Sequence, residues 1–149
     1  MEANGAIEPR RQVRRVVVHT DGASRGNPGD AGIGWLILDE SGKPVREGGR
    51  YIGVTTNNVA EYNALIEGLK MALEEGADEI LVRSDSELMV RQVSGDYRVK
   101  NEGLLPLFVQ ARRLLLRFKR WRIEYVPREQ NRRADALANR GIDRKVNKD

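Results

Sequence analysis

The sequence predicts a single α/β domain built on a mixed five-stranded sheet that helices cover. Three observations lead to this prediction. The length of 149 residues suits one domain, three strand patterns joined by short turns come first, and strands then alternate with helices in the order βββαβααβα. No repeat or low-complexity linker interrupts residues 15–141. We therefore expect one folded unit there, preceded by a disordered arm at 1–14 and followed by a flexible tail at 142–149.

The first three strands are joined by short connections. Residues 15–21 are rich in β-branched side chains, which predicts a buried strand. Glycine and proline at 23–30 predict a loop, apolar residues alternate over 33–37, and a third, glycine-rich strand covers 46–53. Because short connections join neighbouring antiparallel strands, we expect an antiparallel meander.

The spacing of apolar residues changes after the third strand. Residues 59–75 have helical spacing, with Asn58 as the expected first cap and Gly76 as the stop. The remaining elements are a strand at 79–84, a short helix at 86–93, a longer helix around 104–118, a strand at 121–125 and a helix at 131–140. We expect Gly141 to end this last helix.

The charge of the chain is unevenly distributed. Residues 1–90 carry 10 basic and 15 acidic side chains, for a net charge of −5, whereas residues 91–149 carry 16 and 7, for a net charge of +9. A basic half indicates a polyanionic partner such as a nucleic acid. The alternative is a solvated, arginine-rich surface.

Composition excludes several classes of function. The chain has no cysteine, which excludes a disulfide framework, a thiolate zinc site and a cysteine nucleophile. No apolar run approaches the length of a membrane span, and residues 1–12 lack the apolar region of a secretory signal. The sequence therefore predicts a cytoplasmic protein.

Two aspartates lie where α/β sheets place ligands. Asp21 ends the first strand and Asp85 follows the fourth. If these strands are parallel neighbours, both carboxylates emerge at the carboxyl edge of the sheet, where such sheets bind ligands. The alternative for each aspartate is ordinary turn or capping chemistry.

Two further carboxylates lie on predicted helices. Glu61 falls in the middle of the apolar stripe of its helix, where a buried charge is costly unless something compensates it. Asn58 and Glu61 also have capping-box spacing, so capping is the alternative. Asp135 lies in the first turn of the last helix, where complementing the helix dipole is the alternative.

A convergence of these four carboxylates at one sheet edge requires a cation. Carboxylates held close together repel one another, and oxygen ligands without histidine or cysteine select Mg²⁺ or Mn²⁺ over zinc. Paired ions of this kind support phosphodiester hydrolysis. The basic second half of the chain would then hold phosphates.

Four motifs resemble those of the type 1 ribonuclease H family. They are TDGASRGNPG at 20–29, TTNNVAE at 55–61, SDS at 84–86 and ADALA at 134–138. Their order, spacing and structural context agree with the family over residues 15–141. The resemblance implies the ribonuclease H-like fold, in which the first three strands are antiparallel, the fourth and fifth run parallel to the first, and helices cover both faces.

The resemblance also implies an activity. The family hydrolyses the RNA strand of RNA–DNA hybrid duplexes endonucleolytically, leaving 5′-phosphate and 3′-hydroxyl ends. Asp21, Glu61, Asp85 and Asp135 match its four catalytic, metal-binding carboxylates. Two Mg²⁺ ions, with Mn²⁺ as a substitute, are the expected cofactors, and a monomer is the expected state. The position of Glu61 in the family also contacts a ribose 2′-hydroxyl, which distinguishes RNA from DNA.

Nine further positions are expected to contact nucleic acid. They are Ser24, Gly26 and Asn27 in the first loop, Thr56, Asn57 and Asn58 in the turn before the first helix, Asn101 at a phosphate-binding position, and Glu87 and Arg128 at positions that depart from the family pattern. Short polar side chains can position a duplex without demanding a base sequence. Turn formation and helix capping are the alternatives for the Asn and Thr residues.

The sequence departs from the family in two loops. Many members carry a histidine in the loop that here spans 127–131; the only histidine, His19, lies in the first strand, where we expect a packed residue. Arg128 takes the place of the missing group, and since arginine cannot accept a proton its role would be electrostatic. A basic handle found in some members is also absent, and residues 94–100 replace it.

One helix face offers a substitute for the handle. It carries Arg112, Arg113, Arg117, Lys119 and Arg120. Contact with the duplex is one interpretation, and a solvated helix face is the other.

Two other functions are compatible with parts of this pattern. A nuclease of the same fold for another substrate, such as a junction resolvase, would share the carboxylates but would not need the motifs at 20–29 and 55–61. A nucleic-acid-binding module that has lost catalysis would not need all four carboxylates intact.

Overall fold

The computed structural model describes residues 12–146. The strands are β1 (Arg15–Gly26), β2 (Gly29–Leu38), β3 (Pro44–Thr55), β4 (Glu79–Ser84) and β5 (Arg120–Tyr125). The helices are α1 (Asn57–Glu74), α2 (Glu87–Ser94), α3 (Leu105–Leu115) and α4 (Arg132–Val146), and a 3₁₀ turn spans Arg128–Gln130. The predicted order of elements is confirmed. Within the described residues, no helix is both long and apolar enough to cross a bilayer.

The five strands form one sheet in the order β3-β2-β1-β4-β5. The first three are antiparallel neighbours, whereas β4 and β5 run parallel to β1. Thr20 on β1 pairs with Ser84 on β4, and Ser84 pairs with Tyr125 on β5. The parallel pairing of β1, β4 and β5 therefore ends at one edge of the sheet, directly before Asp21 and Asp85, as the sequence predicted. The prediction that Asp21 ends the first strand is wrong, because β1 continues to Gly26 through its antiparallel pairing with β2.

Helices cover both faces of the sheet. Helices α1 and α3 bury the main apolar cluster on one face, and α4 packs against β2 and β3 on the other. Gly34 on β2 allows the close approach of α4, because a Cβ atom there would lie 2.2 Å from the Ala134 carbonyl oxygen. Gly22 on β1 does the same for α1, since its Cβ would lie 2.3–2.5 Å from the backbone of Ala60 and Glu61.

The prediction that Gly141 ends the last helix is wrong. Helix α4 continues to Val146, and the side chain of Ile142 is fully buried. A Cβ atom on Gly141 would lie 2.6–2.9 Å from the backbone of Arg50 on β3, so this glycine permits close packing and does not end the helix. The tail predicted at 142–149 is therefore helical through Val146, and its remainder lies outside the described residues.

Several other boundaries differ from the prediction. Helix α1 begins at Asn57 after the cap residue Thr56, so the expectation that Asn58 is the cap is wrong. Helix α3 ends at Leu115, so Arg117 and Lys119 of the expected basic helix face lie after the helix, and Arg120 begins β5.

The loop predicted at 23–30 is largely a tight hairpin, because β1 extends to Gly26 and pairs there with Gly29. Of the arm predicted at 1–14, residues 1–11 lie outside the described range. The Arg14 carbonyl accepts hydrogen bonds from the N–H groups of Asp78 and Glu79, which ties this residue to the connection before β4.

Candidate active site

Three carboxylates converge at the carboxyl edge of the sheet. Asp21, Glu61 and Asp85 each place one oxygen within 4.8 Å of the other two. Asp21 and Glu61 are buried, and Asp85 is half-buried. Asp135 on α4 lines the same cleft, which has a volume of about 460 Å³, and lies within hydrogen-bonding reach of Asp21.

Glu61 is held by a contact between α1 and β1. Its Oε1 accepts the Gly22 N–H at 2.8 Å, where the two backbones approach most closely. The capping-box alternative for this residue is wrong, because the cap of α1 is Thr56, whose Oγ1 accepts the Val59 N–H at 3.3 Å. Glu61 thus lies beyond the first turn and faces the cleft.

Asp135 is positioned by the start of α4. Its N–H donates to the Asn131 carbonyl at 3.1 Å. The buried Asn131 side chain reaches β1, where its Nδ2 donates to the Thr20 carbonyl at 2.9 Å and its Oδ1 lies 3.3 Å from His19 Nδ1. Asn131 therefore fastens the first turn of α4 beside the end of β1.

His19 is a packed strand residue, as expected. It is half-buried, and burial lowers the pKa of its ring. It lies two residues before Asp21 on the strand and is not among the residues lining the cleft.

The carboxylates strongly perturb one another. Burial, with the Glu61 and Asp85 charges acting in the same direction, raises the pKa of Asp21 to about 11. Burial also raises the pKa of Glu61 to about 8, although the Gly22 N–H opposes this change. Among the described residues, the only cationic group within 4.0 Å of these four carboxylates is the exposed guanidinium of Arg128, at 4.0 Å from Asp135. When its members are ionised, the cluster therefore has an excess of negative charge that its protein surroundings do not neutralise.

The donor set fits a hard divalent cation. Every candidate ligand is a carboxylate oxygen, and the only histidine in the chain lies outside the cleft lining. Mg²⁺ and Mn²⁺ prefer such ligands, whereas zinc favours nitrogen and sulfur. Asp21, Glu61 and Asp85 can hold a metal ion, with Asp135 beside them.

Several predicted contact residues surround the carboxylates. Ser24, Asn57 and Arg128 line the cleft. Asn27 Oδ1 accepts the Asn57 N–H at 3.0 Å, which joins the β1–β2 hairpin to the start of α1. Gly26, at the end of that hairpin, has a φ of +119°, which favours glycine.

Other predicted contact residues have local partners away from the cleft lining. Glu87 pairs with Arg91 at 3.0 Å on α2. Asn101 Oδ1 accepts the N–H groups of Gly103 at 2.7 Å and Leu104 at 3.2 Å. Asn58 is exposed in the first turn of α1, two residues after the cap residue Thr56. Their contacts with nucleic acid stay predictions.

Sequence reasoning missed three polar or charged side chains that line the cleft. They are Arg25, Tyr125 and Asn139. Tyr125 ends β5 at the same sheet edge as the two aspartates, so the strand-end argument applied to Asp21 and Asp85 would have found it. Asn139 lies four residues after Asp135, the spacing that places helical side chains side by side. Arg25 lies within the first motif, and neither a strand-end position nor a helical spacing marks it as a residue of the cleft.

Comparison with known proteins identifies the family. Residues 19–141 match the reverse transcriptase-like family model. The chain is 48% identical over 129 residues to a protein of Halobacterium salinarum named ribonuclease HI, covering 87% of this chain and 65% of that protein. It is also 48% identical over 130 residues to the bifunctional protein Rv2228c of Mycobacterium tuberculosis, covering 87% of this chain and 36% of that protein. The chain thus spans less than two thirds of each of these relatives.

Other similarities extend over whole relatives. A protein of Pseudomonas entomophila named ribonuclease H is 34% identical over 143 residues, covering 86% of this chain and 93% of that protein. The crystal structure of RNase H1 from Halobacterium salinarum superposes with a TM-score of 0.85 at 48% identity, covering 87% of this chain and 98% of that one. LC11-RNase H1, solved in complex with an RNA/DNA hybrid, superposes with a TM-score of 0.83 at 44% identity, covering 88% and 99%. With its fold, its carboxylate cluster and these relatives in agreement, the chain belongs to the type 1 ribonuclease H proteins of the reverse transcriptase-like family.

Proposed function

We propose that this protein is an endonuclease that hydrolyses the RNA strand of RNA–DNA hybrids, leaving 5′-phosphate and 3′-hydroxyl ends. The observation that carries the proposal is the convergence of Asp21, Glu61 and Asp85 within 4.8 Å, in a cleft that polar and basic side chains also line. Relatives named ribonuclease H, and the solved relative bound to an RNA/DNA hybrid, support the choice of substrate.

The four carboxylates would hold two Mg²⁺ ions, for which Mn²⁺ can substitute. Asp21 is the central ligand in this proposal, since it lies near Glu61 and Asp85 and within hydrogen-bonding reach of Asp135. When bound, such ions activate the attacking water and stabilise the leaving oxygen. The protein holds its carboxylates in place through α1, α4 and the ends of β1 and β4, so the ligands are largely positioned before substrate binds.

Substrate recognition would come from the two sides of the cleft. On one side, Ser24 and Asn57 present short polar groups at the hairpin and the start of α1. On the other side lie Tyr125 and Arg128. Glu61 would accept the ribose 2′-hydroxyl and so select RNA over DNA.

Arg128 would act through its charge. Its guanidinium is largely exposed at the mouth of the cleft and lies 4.0 Å from Asp135. It can attract a phosphate or the departing product, but it cannot relay a proton. Because one copy of the chain carries the whole carboxylate cluster, we propose that a monomer suffices for catalysis.

The test is cleavage of an end-labelled RNA–DNA hybrid with Mg²⁺, Mn²⁺ or EDTA, with double-stranded RNA, double-stranded DNA and a DNA junction as controls. We expect metal-dependent cutting of the RNA strand of the hybrid alone, and its loss in Asp21→Asn with hybrid binding retained. Cutting of the junction would favour a resolvase. Tight hybrid binding without cutting by either metal would favour a binding module. Persistent cleavage by Asp21→Asn would exclude the assigned metal site.

A further inference from the structure

Asp135 differs from the other three carboxylates in how it is held. It lies outside the group of three whose oxygens approach within 4.8 Å, and its side chain is 30% exposed. A partly exposed carboxylate in the first turn of a helix samples several rotamers unless a neighbouring group restrains it. Asn139 supplies a restraint at hydrogen-bonding distance, since its Nδ2 lies 3.1 Å from Asp135 Oδ1 and 3.0 Å from the Asp135 carbonyl oxygen, whereas the largely exposed Arg128 lies 4.0 Å away.

The orientation of the Asn139 amide is determined by Arg25. The Nη2 of Arg25 donates to Asn139 Oδ1 at 3.2 Å and approaches the Asn139 carbonyl oxygen at 3.4 Å. A guanidinium has donors only, so the amide oxygen must face Arg25 and the amide NH₂ must face Asp135. Asp143, one helical turn further along α4, holds the same Nη2 at 2.7 Å.

This chain of contacts crosses the sheet edge. Arg25 lies near the end of β1, and Asn139 and Asp135 lie on α4, more than a hundred positions later in the sequence. The β1–β2 hairpin also carries Asn27, which is bonded to the start of α1. The hairpin is therefore tied to both helices that supply carboxylates to the cleft.

We propose that Asn139 is a positioning residue for Asp135, and that Arg25 fixes the amide in the required orientation. The proposal rests on the proposed function only in treating Asp135 as a metal ligand. A neutral amide donor restrains one carboxylate oxygen without neutralising its charge, which leaves the carboxylate able to bind a cation. Groups that orient metal ligands in this way affect metal affinity without touching the metal.

Another asparagine of the chain serves as a matched control for a purely structural effect of replacing Asn139. Asn63 on α1 is also half-buried, and its Nδ2 donates to the carbonyl four residues earlier, Val59, at 2.9 Å. Asn63 is not among the residues that line the cleft, and within residues 12–146 no hydrogen bond to a carboxylate accompanies its contact with Val59. Asn139→Ala and Asn63→Ala therefore remove the same helical hydrogen bond, but only the first releases Asp135.

The experiment measures Mn²⁺ binding by isothermal titration calorimetry on the whole chain, without nucleic acid. We expect Asn139→Ala to weaken binding by about 10-fold, as is typical for groups that orient metal ligands. Asn63→Ala should stay within about 2-fold of wild type. Alanine favours helix more than asparagine does, so both variants should fold, and melting in EDTA should show similar thermal stabilities. Mn²⁺ affinity of Asn139→Ala equal to that of wild type would overturn the proposal.

A double-mutant cycle tests the part assigned to Arg25. We expect Arg25→Ala to weaken Mn²⁺ binding in the wild-type background and to have little further effect in the Asn139→Ala background, because both changes release the same carboxylate. Additive effects would overturn the assignment of Arg25.

Hybrid cleavage by the same variants separates this inference from the proposed function. We expect kcat at limiting Mg²⁺ to fall in Asn139→Ala, with little change in KM for the hybrid. If wild type binds Mn²⁺ in an Asn139-dependent way but cuts no hybrid, the proposed function fails and the positioning role stands. If wild type cuts hybrid and Asn139→Ala binds Mn²⁺ normally, only the positioning role fails.

Discussion

Replacing Asp21 with asparagine should stabilise the metal-free protein while abolishing its activity. Asp21 is buried at the centre of the carboxylate cluster, with oxygens of Glu61 and Asp85 within 4.8 Å. Two unit charges at 4.8 Å repel by roughly 3 kcal/mol at an effective dielectric constant of about 20. Asparagine has nearly the same shape and carries no charge, so the variant removes this repulsion without leaving a cavity.

The expected gain is about 2–4 kcal/mol near pH 8. At that pH the raised pKa keeps Asp21 largely protonated in folded wild type, so the repulsion is expressed as the free-energy cost of holding that proton, which asparagine avoids. For a chain of this size each kcal/mol corresponds to roughly 2–4 °C, so the melting temperature should rise by about 8 °C. The pKa of Asp21 is raised in the folded state, from an ordinary value of 3.8 to about 11. A raised carboxyl pKa means that stability is greatest at low pH and falls as pH rises between these two values.

The assay is thermal unfolding in EDTA at pH 5 and pH 9, repeated with Mg²⁺. Wild type should lose stability from pH 5 to pH 9 and recover it with Mg²⁺, since an ion that binds only the folded state stabilises that state. Asp21→Asn should lose less with pH and gain less from Mg²⁺. Asp96→Asn, which removes an exposed carboxylate after α2, is the matched control and should behave as wild type.

A melting temperature for Asp21→Asn at or below that of wild type at pH 9 in EDTA would refute this reasoning. It would mean that the three carboxylates do not repel one another in the folded protein. The cluster would then not require a cation, and the metal site would lose its main physical support.

Three further predictions concern packing and charge. Gly22→Ala forces a Cβ atom to within 2.3 Å of the Ala60 backbone, so α1 must shift; urea unfolding should show a loss of at least about 1–3 kcal/mol, and an unchanged midpoint would contradict the contact. Ile142→Ala should lower the free energy of unfolding by about 2–4 kcal/mol in the same measurement, because the side chain is fully buried. An unchanged free energy would mean that the segment after Gly141 is a tail that does not pack on the domain. Neutralising Arg113 and Arg117, both without an ion pair to any residue within 12–146, should weaken hybrid binding and reduce its salt dependence by about one unit of slope per lost phosphate contact. An unchanged slope would place the last turn of α3 and the turn after it outside the interface.

Local patterns were sufficient to predict the order of the elements and the four carboxylates that line the cleft. The helical stripe of α1 indicates which face of that helix is buried, whereas the alternation on β2 does not distinguish its faces, because residues 31–37 are all buried. Asp21 and Asp85 could be located because each directly follows the parallel-paired part of a buried strand. Residues after parallel strands share an edge by topology alone, so no side-chain contact had to be known.

The errors came where a local signal has two possible causes. Gly141 follows the predicted last helix, where a glycine commonly ends a helix, yet its role is to allow close packing against the backbone of Arg50. Asn58 and Glu61 have capping-box spacing, yet Thr56 caps the helix and Glu61 bonds to Gly22. In each case the deciding partner comes from another element, which local sequence patterns do not register.

The sequence by itself determined the order of strands and helices, the apolar stripe of α1, and the four carboxylates that line the cleft. These properties depend on spacing along the chain, which the covalent structure preserves. Only the tertiary structure decided that Asn139 faces Asp135 with its donor, that Asn131 ties α4 to β1, and that Glu87 pairs with Arg91. Those contacts depend on distances and rotamers that are set by packing between distant segments. A hydrogen bond forms only within a narrow range of distance and angle, so spacing along the chain does not determine it.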